Sequence, residues 1–123
     1  QAITEMIPSA HRDRVGVCFD TCHAFSAGYD LVDEYEKVWS SFERIIGIDR
    51  LGLIHVNDSK HPFGSHKDRH ETIGQGTLGA EPFRRLMVDE RLAHVPKVLE
   101  TPKGDDGVLA DRTNLGLLRS FRD

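Results

Sequence analysis

Along this chain, short apolar runs that turn abruptly polar alternate with stretches whose apolar residues recur at helical spacing. RVGVCFD (14–20), LGLIHVND (51–58) and KVLETP (97–102, stopped by Pro102) have the valine-rich, continuous character of buried parallel strands. After the first run, Ser26 to Asp30, with Gly28, reads as a loop. From Asp33 onward, Tyr35, Val38, Trp39, Phe42, Ile45 and Ile46 share one helical face, with Asp33 as the cap, Glu36 at the box position and Gly47 after the end. A long loop punctuated by Gly64, Gly74, Gly76 and Gly79 follows the second run. Pro82 then marks a first helical position, and Phe83, Leu86 and Met87 form the inner face of a helix reaching about Leu92. Leu115, Leu118 and Phe121 predict a closing helix from about 111–114, and Ile3, Met6 and Ile7 read as the end of a helix at the start.

Strand and helix thus follow one another three times, the repeating unit of a parallel α/β sheet or barrel. Three such strands leave two unpaired edges and an exposed core unless further chain covers them. The expected architecture is therefore the C-terminal portion, about three βα units, of a (β/α)8 TIM barrel, with residues 1–123 a single partial domain.

Composition narrows the setting. At 123 residues and 38% hydrophobic, one modest core is the ceiling. No apolar run approaches a bilayer's width, and QAITEMIPSA has neither a basic nor an apolar targeting region, so no membrane partner is expected. Cys18 and Cys22 flank Asp20 at a spacing ill suited to a structural disulfide, which fits a reducing, cytoplasmic setting. The formal charge of −4 argues mildly against a general nucleic-acid binder, but bound cations would alter that balance locally.

The polar ends of the three runs carry the candidate chemistry. The first ends in Asp20 and His23, the second in His55 with Asp68 and His70 in its loop, and the third in Glu100. Imidazoles and carboxylates are ligands for zinc and similar ions, and Asp68 and His70 at i, i+2 share one side of an extended segment. In a β/α barrel the C-terminal strand ends meet at one face, so six residues eighty positions apart in sequence can converge. Simpler roles compete: Asp20 or Glu100 as helix caps or arginine partners, and His55 as a core histidine. His11, His61, His66 and His94 read as surface residues, Cys18 as core packing, and Cys22 as a ligand or a bystander. Lys60, Lys67 and Arg69 lie in the ligand loop and suit a phosphate backbone, or simply a solvated loop.

GVCFDTCHAFSAGYD and HVNDSKHPFGSHKDRHETIGQG resemble two signature stretches of the endonuclease IV family of apurinic/apyrimidinic endonucleases, and VLETP resembles the strand end that supplies a further ligand. The resemblance covers nearly the whole chain. It implies a xylose-isomerase-like (β/α)8 barrel with three Zn2+ ions in the complete site. The implied activity is base excision repair: hydrolysis of the phosphodiester 5′ to abasic sites in double-stranded DNA, leaving a 3′-hydroxyl, by an enzyme monomeric at full length. By the same resemblance His23, Asp68 and His70 bind one zinc, and Asp20, His55 and Glu100, the catalytic set, bind a second. Two further histidines, a bridging glutamate and the residues that wedge into DNA belong to barrel strands preceding Gln1. Fewer ions, and possible inactivity, are therefore expected of these 123 residues alone.

Metals suit this reaction because they lower the pKa of bound water and stabilise the phosphoryl and leaving oxygens. Two alternatives remain open at this point. One is a metal-dependent sugar isomerase or epimerase of a related barrel, which would use Asp20, His55 and Glu100 alone; the other is a non-catalytic zinc-binding fragment.

Overall fold

The computed structural model describes residues 5–123. Part of the helix end expected around Ile3 therefore lies outside the described residues. The first apolar run forms β1, Val17–Asp20, after a 3-10 segment over Ser9–Arg14. Arg14 closes that turn instead of opening the strand, so β1 is shorter than the apolar run. The second run forms β2, Leu51–His55, and turns at Asp58 into the two-residue β3, Asp58–Ser59. β4, His70–Glu71, pairs antiparallel with β3, with Ser59 opposite His70, and so closes the loop between them. The third run supplies only Lys97–Val98 as β5.

β1, β2 and β5 form a parallel sheet in the order β1-β2-β5. Its register sets Asp20 opposite His55 and His55 opposite Val98, which brings the polar ends of all three strands level. A parallel sheet with helices in its connections is the α/β arrangement expected from the sequence.

Among the described residues, four complete α-helices accompany the strands. α1, Thr21–Ser26, follows β1 without a loop, starting where Asp20 accepts from the His23 N–H at 2.9 Å. The sequence pattern missed it because six residues are too few to display a helical period. α2, Tyr35–Ile45, buries Tyr35, Val38, Trp39 and Phe42 as expected, but Ile45 faces out. Asp33 is not its cap: the Asp30 carboxylate takes the Val32 and Asp33 N–H groups, and the helix starts after Glu34. Gly47 does end it, at φ 95°, with the Ile46 and Gly47 N–H groups both bonded to the Phe42 carbonyl.

α3, Glu81–Val88, has Pro82 in its first turn and stops short of Leu92, because Asp89 starts a separate 3-10 segment, Glu90–Leu92. α4, Gly107–Ser120, begins ahead of the expected start because Asp106 accepts from the Leu109 N–H at 3.0 Å.

The core lies between one face of the sheet and the helices. Phe19, Ile54 and Val56 meet Trp39, Phe42, Phe83, Leu86 and Leu118, with the Phe19 and Trp39 rings 4.8 Å apart. Each fully buried side chain of this size stabilises by about 1.5–3 kcal/mol. Alternate residues such as Cys18 and Val98 are exposed. Cys18 is therefore not core packing: its face of the sheet carries no layer of helices among the described residues. Among those residues, too, no helix is long and apolar enough to cross a membrane.

Candidate metal centre

Local backbone structure aims the polar strand ends at one another. Asp20, as the N-cap of α1, uses Oδ1 for the His23 N–H, which leaves Oδ2 free to face the neighbouring strands. His55 ends β2 with Nδ1 3.5 Å from Asp20 Oδ2 and 2.9 Å from Glu100 Oε2. His70, held by β4, points Nε2 at Asp20 Oδ2 and at Asp68 Oδ1, each 3.5 Å away. His23 Nδ1 lies 3.3 Å from the other Asp68 oxygen. The structure thus links all six sequence-predicted ligands in one continuous run: His23, Asp68, His70, Asp20, His55, Glu100.

Within that run, Asp20, His55 and Glu100 share a common centre, their donor atoms all within 4.8 Å of one another. The second such group contains Asp68 and His70 with Cys22 instead of His23. The His23 side chain is 70% exposed and approaches Asp68, while Cys22 is fully buried and donates weakly to the Arg69 carbonyl. Burial, with the Asp68 and Asp20 carboxylates adding to it, pushes the Cys22 thiol up to about 11, so it is protonated at neutral pH. Both cysteines are free.

The donor set fits a zinc-like ion. Its atoms are imidazole nitrogens and carboxylate oxygens, and ligands around a tetrahedral ion at ordinary bond lengths stand roughly 3.3 Å apart. Within the Asp20, His55 and Glu100 set, His55 Nδ1 stands 3.5 and 2.9 Å from the two carboxylates, near that spacing, and all three donor atoms lie within 4.8 Å of one another. His70 adds a chemical sign. Its Nδ1 lies 3.0 Å from the Glu100 carbonyl, which can only accept, so Nδ1 donates there and Nε2 is the ring atom that faces the two carboxylates.

Two residues that sequence reasoning missed hold this geometry. Asp58, fully buried, accepts from the N–H groups of Ser59, Gly74, Gly76 and Leu78 at 2.7–3.0 Å, gathering the two ends of the ligand loop. Burial pushes its carboxyl up, and those four donors pull the other way. Asn57 sits between Asp20 and Glu100, fully buried. The signal for both was in plain sight: two polar residues continue a buried strand without interruption in HVND.

Lys60, Lys67 and Arg69 are exposed. Lys67 and Arg69 line, with His61, His66 and Asp68, an open groove of about 400 Å³ beside the cluster. Lys60 pairs through its backbone with the Arg69 carbonyl at 2.9 Å. His11, His66 and His94 are exposed and outside the cluster.

Residues 1–121 match the family described as a xylose isomerase-like TIM barrel. A "Probable endonuclease 4" of Trichlorobacter lovleyi is 56% identical over 115 residues, covering 92% of this chain and 41% of that protein. One of Chloroflexus aggregans is 50% identical over 119 residues, covering 95% and 41%. Among solved structures, endonuclease IV from Thermus thermophilus aligns at TM-score 0.78 and 37% identity, covering 87% of this chain and 38% of that one. The likeness to endonuclease IV read in the two signature stretches is borne out, and the chain spans about two fifths of the length of these relatives.

Proposed function

Because the chain belongs to the xylose isomerase-like TIM barrel family, we propose that it is a single partial domain contributing three strand ends to the metal centre of a DNA-repair endonuclease. The reaction is zinc-dependent hydrolysis of the phosphodiester 5′ to an abasic site in duplex DNA, leaving a 3′-hydroxyl. One observation carries the reading: the six carboxylate and imidazole groups form an unbroken run across the polar end of the sheet. The endonuclease 4 names of its relatives supply the substrate class.

Asp20, His55 and Glu100 hold one ion and are the catalytic set. Asp68 and His70 hold another, with His23 completing it after a side-chain rotation for which its exposure leaves room. Divalent ions bound there would activate water and offset charge building on the phosphoryl oxygens. The chain's own residues fix where that chemistry occurs. Asp20 stands between both sets, because its Oδ2 faces His55 and His70 equally at 3.5 Å. The loop that carries Asp68 also carries Lys60, Lys67 and Arg69, which would hold the DNA backbone beside the groove by charge.

A sugar isomerase reading would need only Asp20, His55 and Glu100. The continuation of the cluster through His70 to Asp68 and His23 favours the nuclease. The test is zinc titration of this chain by calorimetry, beside cleavage of a duplex with one abasic site. We expect zinc binding that His55→Ala weakens at least tenfold, and little or no cleavage by these 123 residues alone. No zinc binding would refute the metal reading, and robust cleavage would refute the claim that residues outside this chain complete the site.

A further inference from the structure

We infer that Asn57 is a positioning residue, a buried amide that sets the spacing of Asp20 and Glu100 on either side of His55. Asn57 directly follows β2 by way of Val56 and is 0% exposed. Its side chain makes two bonds of opposite sense, one to the end of β1 and one to the segment that follows β5. Nδ2 donates to Asp20 Oδ2 at 3.0 Å, and Oδ1 accepts from the Glu100 backbone N–H at 2.8 Å. The amide orientation is fixed chemically: a backbone N–H can only donate, so the oxygen must face Glu100 and the nitrogen Asp20. The backbone of Asn57 is equally held, its N–H donating to Thr21 Oγ1 at 2.9 Å and its carbonyl accepting from the same hydroxyl at 2.7 Å.

The consequence lies in how Asp20 is used up. Oδ1 is taken by the His23 N–H, and Oδ2 receives Nδ2 of Asn57 on one side. What remains of Oδ2 faces His55 and His70. Asn57 therefore decides both where Asp20 stands and which lone pair it offers. At the same time the amide pins the backbone of Glu100, whose side chain approaches His55 from the opposite side. Residues that orient a metal's ligands in this way are worth roughly 10–100-fold in metal affinity.

This role rests on the reading of Asp20, His55 and Glu100 as a metal set, and the test separates the two. The full chain is made with Asp68→Asn, which disables the neighbouring set, and is titrated with Co2+ while its visible absorption is followed. Asn57→Ala and Asn57→Ser are compared in that background, with Leu86→Ala in α3 as a core truncation remote from the strand ends. Thermal unfolding establishes that each variant is folded at the titration temperature.

We expect both Asn57 variants to bind Co2+ ten- to hundredfold more weakly and to alter its absorption band. Leu86→Ala should lower the unfolding temperature and leave affinity and band unchanged. If the Asn57 variants lose stability but bind as the parent does, Asn57 is only a structural tie and the inference falls. If the parent itself binds no Co2+, the metal reading fails and takes this role with it. Should Asn57→Ala not fold, the serine variant, which retains a polar group, decides by the same criterion.

Discussion

Among the described residues Asp58 has no cationic partner; its acceptors are spent on four backbone N–H groups of the loop that returns to it. Such a carboxylate acts as a cross-link, because the loop ends meet through it. Asp58→Ala leaves those donors unmet, and each buried unmet donor costs about 1–3 kcal/mol. Urea unfolding should therefore record a loss of at least about 3 kcal/mol, with new protease cleavage between residues 60 and 70. Gly76 is bound to the same feature: a Cβ there would meet Asp58 Oδ1 at 2.5 Å. Gly76→Ala should cost about 1–3 kcal/mol by the same assay, as overpacking of a closed site does. If both variants unfold as the parent does, the loop is not held by this carboxylate.

Among the elements, α2 packs against the segment after α3 through a charged cluster that includes the Glu36–Arg91 ion pair at 3.1 Å. The Tyr35 hydroxyl donates to Asp89 at 3.2 Å, and Arg91 donates to both Asp89 oxygens, at 2.8 and 2.6 Å. Burial pushes the Asp89 carboxyl up, but the bonds and charge of Arg91, with Tyr35, outweigh it and hold it below the usual carboxylate range. Its folded pKa is thus lower than its unfolded one. The stabilisation is complete above the unfolded value near ~3.9 and is lost as pH falls through the folded value. Asp89→Asn should flatten this part of the acid limb when stability is followed from about pH 6 to 2. At the start of α4, Asp106→Ala removes a side-chain cap and should cost about 1 kcal/mol in thermal or urea unfolding.

The same elements explain what could be read from the residues alone. β1, β2 and α2 announced themselves because continuous apolar runs and a helical stripe of Tyr35, Val38, Trp39 and Phe42 report burial directly. α1 did not, because it is a short helix whose cap, Asp20, also belongs to the ligand cluster. β5 was overextended because Thr101, though buried, lies beyond the ladder. The six candidate ligands stood out by chemistry at strand ends. Asn57 and Asp58 did not, because a residue that orients a ligand shows itself only through partners distant in sequence.

On the scale of the molecule, among the described residues a single layer of helices covers one face of a three-stranded sheet, and the other face bears exposed Cys18. The two thiols should therefore separate kinetically. A disulfide reagent should modify Cys18 in the native chain and reach buried Cys22 only on unfolding, with thiol counts of one and two. Equal reaction at both would contradict the layering. That half-covered sheet also governs how quickly the cluster would exchange its ions. Asp20 and His55 are recessed, but Glu100 and Asp68 stand about half in solvent, with side-chain exposures of 51% and 45%. Among the described residues no wall or lid must move for a hydrated ion to arrive or depart. Loading of this chain should be a rapid equilibrium, and a chelator mixed in a stopped-flow instrument should strip it within seconds; release over hours would mean that the rim closes over its ions.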